Sequence, residues 1–235
     1  MELKNKVVVV TGSSDGIGKE IALRLAKDGV KLALIARNEE KLAAVSKEAL
    51  ALWAASVNAY VCDMTDTHIL ESTTHVIASE LGGVDVLVNN AGIWQKAMQL
   101  DEIESSTIES VIDINLTALI ESTRLFLPML RARDEAAIIN VSSKAGVVAQ
   151  GWFSVYSATK YWVRGFTEVL KEDLKETNIR VAGVYQSGTN TGMFAKADED
   201  FPVEKFTNPA DLADVVGYML WLPPKIWLHD VRVAF

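Results

Sequence analysis

Along the chain, short apolar runs rich in β-branched residues alternate with longer stretches whose apolar residues recur every three or four positions. The short runs, residues 7–11, 32–36, 59–62, 84–88, 137–141, 180–184 and 228–233, have the length of strands. The longer ones, residues 20–28, 39–53, 67–81, 103–131, 153–177 and 209–222, have the length and period of amphipathic helices. Asn208 before Pro209 gives the last of these a capping side chain followed by a proline in its first turn. Strands separated by helices indicate βαβ units, which right-handed crossovers assemble into a parallel sheet covered on both faces.

The first strand runs into Thr11-Gly12-Ser13-Ser14-Asp15-Gly16-Ile17-Gly18, and a helical stretch follows. Glycines here allow positive φ and close approach of an anion to the amides, while the helix start offers unpaired N–H groups and a positive dipole end. Strand, glycine turn and helix in this order predict an α/β protein: a Rossmann-type, doubly wound parallel sheet of about seven strands with helices on both faces. The spacing is not that of a P-loop, because Lys19 is followed by Glu20. One domain over residues 1–235 is expected, with its active site at the carboxyl edge of the sheet. Residues 186–206, rich in Gly, Asn, Asp and Lys, are long for a loop and are expected to act as a substrate-binding lid.

Composition narrows the partners. A net charge of −8, spread over several acidic segments, argues against nucleic acid or an anionic membrane. Cys62 is the only cysteine, so an internal disulfide and a Cys-based metal site are excluded and a reducing compartment fits. His68, His75 and His229 have no accompanying ligand cluster, and no metal is expected. No apolar run reaches the ~18 residues of a membrane span, and a cytoplasmic protein is expected.

Candidate chemistry gathers at the expected strand ends. Tyr156 and Lys160, four apart on one helix, lie about one turn apart on the same face. A cation beside a phenol favours the phenolate and is expected to bring its pKa down from ~10 toward working pH. Ser143, just past the apolar run 137–141, can hydrogen-bond a substrate oxygen. Arg37, about 20 residues past the glycine turn, stands where a dinucleotide-binding fold discriminates its ribose; an Arg suits the 2′-phosphate of NADP rather than the 2′-hydroxyl of NAD. Asn38 can add a donor. Asp63, with Met64 beside it, fits both an adenine contact and a helix N-cap. Asn89, Asn90, Ala91 and Gly92 follow the fourth strand; the amides can tie neighbouring loops together, and the small residues leave room for a ribose or nicotinamide. Asn115 interrupts an apolar helical run and needs a backbone bond, a water or a kink to explain it.

Taken together, these residues resemble the short-chain dehydrogenases/reductases. The matching marks are T-G-x-x-x-G-I-G at 11–18, Asp63, N-N-A-G at 89–92, Asn115, Ser143 and Y-S-A-T-K at 156–160, in family order over nearly the whole chain. The resemblance implies a catalytic set of Asn115, Ser143, Tyr156 and Lys160, with Asn115 holding a water that relays protons to Lys160. It implies cofactor contacts from Gly12, Ser14, Asp15, Gly16, Ile17, Gly18, Arg37, Asn38, Asp63, Met64, Asn90, Ala91, Gly92, Tyr156, Lys160, Thr189 and Thr191. The usual Pro-Gly after the sixth strand is replaced by Gln186-Ser187. Trp94, Gln150, Trp152, Gln186 and Met193, together with Val147, Phe153 and Phe194, are the expected substrate walls, mostly apolar or aromatic. The expected activity is NADP(H)-dependent hydride transfer to a carbonyl, or from an alcohol, by a 3-oxoacyl reductase-like or small carbonyl reductase. A homodimer or homotetramer is implied as well. Tyr161 and Trp162 are read as core or interface packing. The alternative is a dinucleotide-binding regulatory or scaffold protein without turnover, motivated by the altered turn.

Overall fold

In a computed structural model describing residues 1–223 and 225–234, seven strands form one parallel sheet in the order β3-β2-β1-β4-β5-β6-β7. Pro224 and Phe235, inside the expected domain span, lie outside the described residues. The strands are β1 (Val7–Thr11), β2 (Lys31–Ala36), β3 (Ser56–Val61), β4 (Val86–Asn89), β5 (Ala136–Ser143), β6 (Ile179–Gln186) and β7 (Asp230–Val233). The chain winds outward from β1 to β3 and then returns to the other side of β1 to lay down β4. That reversal opens a crevice beyond the carboxyl ends of β1 and β4.

The two faces are separated by the strand period. Val8 and Val10 point into the core shared with α1 (Gly16–Ala26), α2 (Glu39–Ala51) and α7 (Pro209–Trp221). Val7 and Val9 point into the opposite core, where α3 (Thr67–Leu81), α5 (Ala118–Arg131) and α6 (Ser154–Leu174) pack through Leu70, Phe126 and Leu170. All residues of β1, β4 and β5 are buried, whereas the edge strand β3 alternates half-buried with exposed positions toward its end. Among the described residues no helix is long and apolar enough to cross a membrane.

Most element boundaries move by a few residues from expectation, and three of the differences bear on the site. Helix α1 begins at Gly16, four residues before position 20, because the Asp15 carboxylate caps it from inside the glycine turn. The stretch 103–131 is not one helix: α4 (Ser105–Ile112) passes into a π-helical turn, Asp113–Thr117, before α5. Strands β5 and β6 run on to Ser143 and Gln186, so both residues are paired in the sheet, opposite each other. Tyr161 and Trp162 are exposed, Trp162 by 66%, which removes core packing as their role.

A buried polar ladder crosses the sheet face beneath the crevice. Asn89 Nδ2 donates to Thr123 Oγ1 and to Asn140 Oδ1, both at 2.9 Å, and Asn140 Nδ2 donates to Thr167 Oγ1 at 2.9 Å. It fastens β4 and β5 to α5 and α6. Asn140→Ala strips partners from two buried groups and is expected to cost about 1–3 kcal/mol. Urea unfolding checks this as a lower midpoint at unchanged slope.

Candidate active site

Side chains at the strand ends enclose a cleft of about 540 Å³ that runs from the glycine turn, past Arg37 and Asn38, to Tyr156, Lys160 and Gln186. Gly12 turns the chain with φ 65°, and a Cβ there would stand 2.9 Å from the Ala91 Cα. The turn therefore nests against the segment after β4, and glycine is required for it. The same contact is held by polar groups: Asn90 Nδ2 donates to the carbonyls of Thr11 and Gly12, at 3.0 and 3.3 Å. The amides of Asn90 and Ala91 donate to Thr11 Oγ1 at 3.0 and 3.1 Å. Asn90 thus spends its side chain on joining β1 to β4 while Ala91 and Gly92 line the cleft.

At the cleft mouth, Asp15 caps α1 by accepting from the Gly16 amide at 2.8 Å. Its other oxygen takes Lys41 Nζ at 2.8 Å and Lys196 Nζ at 3.0 Å. Burial pushes this carboxyl up, but the hydrogen bonds from Lys41, Lys196 and Gly16 outweigh it and hold the pKa at about 2. Arg37 is largely exposed, 3.8 Å from Asp63. Asn38 caps α2, its Oδ1 accepting from the Lys41 amide at 2.8 Å, which leaves the amide NH₂ out of that bond. Asp63 is not the cap of α3. Asp66 is, while Asp63 folds back on Thr65 through bonds of 3.0 and 2.8 Å. Burial raises the Asp63 carboxyl, but the Thr65 bonds and the Arg37 charge bring it below its ordinary value. Cleft-lining Lys41 and Lys196 were not singled out by the sequence, Lys41 lying among the charges of an ordinary helix start and Lys196 in the lid.

Deeper in, Tyr156 and Lys160 are both buried, with Nζ 5.6 Å from the centre of the phenol ring. Ser143 hydrogen-bonds the phenol and accepts from the Ala145 amide at 3.1 Å. The expected depression of the phenol is not found: burial pushes Tyr156 up to about 12, and the Ser143 bond opposes it only in part. The same burial brings Lys160 down to about 8. A low-dielectric setting disfavours either charge, so the phenol stays protonated and the ammonium loses its proton in mildly alkaline solution. Asn115, fully buried in the π turn, accepts from the Ile93 amide at 2.7 Å and donates to the Ile93 carbonyl at 3.0 Å and to Thr159 Oγ1 at 3.4 Å. Both explanations that such an amide demands are present, a backbone pair and a local distortion of the helix.

The loop after β6 covers the remaining side. It contains two short 3₁₀ turns, Ala195–Ala197 and Val203–Lys205, and Thr189 bridges to Thr207. Phe194, Phe201 and Phe206 stack edge to face and reach Trp94, whose ring lies 5.0 Å from Phe194, 4.7 Å from Phe153 and 4.5 Å from Tyr156 between centroids. Polar ties secure it: Lys96 Nζ meets Asp198 at 2.7 Å, and the Glu199 carboxylate accepts from the Ala97 amide. Of the expected substrate contacts, Trp94, Gln186 and Met193 line the cleft, with Met64 and Thr191 from the cofactor set. Thr189 is buried behind it, its Oγ1 donating to the Ser187 carbonyl at 3.3 Å. Gln150 is half-buried in the loop before α6, and the Trp152 ring is 61% exposed, its backbone left-handed at φ 73°. Gln186 Oε1, Ser187 Oγ and the Trp94 indole N–H are buried without a hydrogen-bond partner. A second hollow of about 460 Å³ between β3 and α3 is walled by Tyr60, His68, Ile69 and Val76 and has no comparable set of converging groups.

Comparison with known proteins agrees with this arrangement. The sequence pattern described as short chain dehydrogenase matches residues 6–201. An uncharacterised oxidoreductase of Staphylococcus saprophyticus is 31% identical over 233 residues, covering 99% of this chain and 98% of its own. The 3-oxoacyl-[acyl-carrier-protein] reductase of Thermotoga maritima is 30% identical over 227 residues, with 93% and 92% covered. Among solved structures, a metagenomic short-chain oxidoreductase in complex with NADP superposes with a TM-score of 0.87 at 29% identity, covering 100% of this chain and 99% of its own.

The ion pairs around Asp15 set a titration. Its carboxyl is expected to remain ionised down to about pH 2, and in Lys196→Ala its midpoint moves back toward the ordinary 3.8. Carboxyl-detected NMR across the acid range measures both; an unmoved midpoint in the variant contradicts the shared ion pair.

Proposed function

Since the chain belongs to the short-chain dehydrogenase family, we propose that it is an NADP(H)-dependent oxidoreductase acting on a neutral carbonyl compound or the corresponding secondary alcohol. The observation that carries this reading is the buried pair of the Tyr156 phenol and the Lys160 ammonium, lining a cleft that starts at a glycine turn, with the Ser143 hydroxyl beside the phenol.

The residues present suit a nicotinamide dinucleotide. Gly12, Gly16 and Gly92 line the cleft with bare backbone, and a Cβ on Gly92 would crowd Asn115 Oδ1 at 2.9 Å. The first amides of α1 and its positive end suit a diphosphate. The unpartnered Gln186 Oε1 is an acceptor suited to a carboxamide NH₂. Arg37 offers a planar cationic fork to a 2′-phosphate, and Lys41 stands one helical turn further on. Asp15 would repel that phosphate if it were bare, but its charge is already matched by two ammonium groups. The solved relative in complex with NADP supports the same preference.

When bound, the dinucleotide supplies or accepts the hydride. The chain's own residues handle the oxygen. Tyr156, protonated throughout the neutral range, donates its phenolic proton to the developing oxyanion, and Ser143 donates a hydrogen bond to the same oxygen. Lys160 carries its charge below about pH 8. An ammonium near the ring steadies the phenolate left by proton transfer, which offsets what burial withholds from it in the resting site. Asn115 locks the Ile93 backbone to Thr159; the Lys160 ammonium returns a proton to the phenolate, and a water held at the π turn would pass one from solvent to the neutral amine. Trp94, backed by Phe153, Phe194 and Phe201, gives the cleft an aromatic side suited to an apolar carbonyl compound. Subunit packing into a dimer or tetramer through α6 completes the reading, since Tyr161, Trp162 and Val169 are all exposed on it. A regulatory protein without turnover stays as the second reading, on the strength of the unpartnered Gln186 and Ser187 groups.

Three measurements follow. NADPH is expected to bind more tightly than NADH by nicotinamide fluorescence, and Arg37→Glu to reverse the order; equal binding of both by the parent protein removes NADP from the assignment. With a panel of ketones, aldehydes and acyl thioesters, Tyr156→Phe is expected to cut turnover by about 10²–10⁴-fold while nucleotide binding is kept. Turnover at the parent rate would sink the acid–base role, and nucleotide binding with no oxidation across the panel favours the regulatory reading. In the parent enzyme, reduction is expected to be steady below pH 8 and to fall as pH rises through about 8, because Lys160 then loses its charge.

A further inference from the structure

Helix α6, which carries Tyr156, begins without a capping side chain of its own. Its N-cap is Phe153, at φ −121° and ψ 43°, which has no oxygen to offer the amides of the first turn. Those amides find their acceptor on another segment. Gln95, only 1% exposed, accepts through Oε1 from the Val155 amide at 3.1 Å and from the Tyr156 amide at 3.0 Å. Its Nε2 donates to the Lys96 carbonyl at 3.1 Å and to the Trp152 carbonyl at 3.4 Å. Trp152, with its left-handed backbone, turns that carbonyl to the Met98 amide as well, at 3.1 Å.

We propose that Gln95 is a positioning residue for Tyr156, acting as the missing cap of α6 from a distance of 61 positions in the chain. This rests on the reading of Tyr156 as the acid–base group. The Tyr156 backbone is gripped on both sides: its N–H by Gln95, and its C=O by Thr159 Oγ1 at 2.7 Å, with Asn115 behind Thr159. Tyr156 is the third residue of the helix, so the phenol rides on a turn that has few intrahelical bonds of its own. Without an acceptor there, that turn is free to fray, and the phenol oxygen drifts relative to Ser143 and Lys160. Gln95 also binds the segment after β4 to the loop entering α6, which fixes the neighbouring Trp94 ring against Tyr156.

The test compares two substitutions of similar size. Gln95→Leu removes the amide, whereas Gln95→Glu keeps an oxygen facing the two N–H groups. In Gln95→Leu, kcat for carbonyl reduction is expected to fall about 10–100-fold, the effect of a small misplacement of a reacting group. The KM for NADPH is expected to stay within about two-fold. Hydrogen exchange at the Val155 and Tyr156 amides is expected to quicken by about ten-fold, and Gln95→Glu to recover most of both losses. Unchanged exchange in Gln95→Leu overturns the cap. Loss of kcat that persists in Gln95→Glu although exchange at both amides is restored overturns the positioning role too, because the cap is then intact. Exchange is read without substrate, so a parent protein that turns nothing over refutes the acid–base reading of Tyr156 and with it the catalytic consequence. An active parent whose Gln95→Leu variant keeps its kcat refutes the positioning role only.

Discussion

A parallel sheet covered by helices on both faces leaves its strands one polar outlet, the carboxyl ends. In this protein β1, β4 and β5 are buried along their whole length, so hydrogen-bonding side chains that serve a ligand have to emerge where those strands stop. Thr11, Asn89, Asn90, Ser142 and Ser143 all stand at such ends. Most of them are spent on one another. Thr11 takes the amides of Asn90 and Ala91, Asn90 takes the carbonyls of Thr11 and Gly12, and Ser142 donates to the Lys160 carbonyl at 3.2 Å. Few groups are left facing the cleft. The site is therefore a small remainder of a larger network whose first task is to satisfy buried backbone.

The same burial governs the chemistry of the pair on α6. A phenol and an ammonium set one turn apart at a surface would each titrate near its ordinary value. Here both are enclosed, the phenol held up and the amine brought down, so the pair with both groups neutral is favoured over the phenolate–ammonium pair more strongly than in water. Enclosure comes from specific neighbours: Trp94 over the phenol, the π turn with Asn115 behind, and the Ser143 hydroxyl beside it. Removing any of these changes the solvation of the pair as well as its shape.

What could be read from the sequence is what local pattern encodes. The strand and helix alternation, the glycine turn and the Tyr156/Lys160 spacing all depend on residues within a few positions of each other, and a doubly wound parallel sheet follows from them. What could not be read depends on burial and on long-range meetings. The helix expected over 103–131 breaks at a π turn because Asn115 bonds to Ile93, 22 positions away. The direction of the Tyr156 shift was misjudged because the spacing showed the cation but not the enclosure. Gln95 lies in a stretch with no strong period, and its partners are 60 and 61 positions further on. Asp15 and Lys196 are separated by 181 positions, with no local signal connecting them.

That last pair has a consequence for how the cleft meets its surroundings. Asp15 divides one carboxylate between Lys41, fixed on α2, and Lys196, in the loop after β6. The chain thereby holds its own counter-ion at the mouth of an anion-friendly cavity. Both ammonium groups at this end of the cleft are paired inside the chain, with a carboxylate that is tethered and does not diffuse away. The arrangement also joins α2 to the loop after β6 through a single carboxylate, so a change of charge at any one of the three positions is felt by the other two.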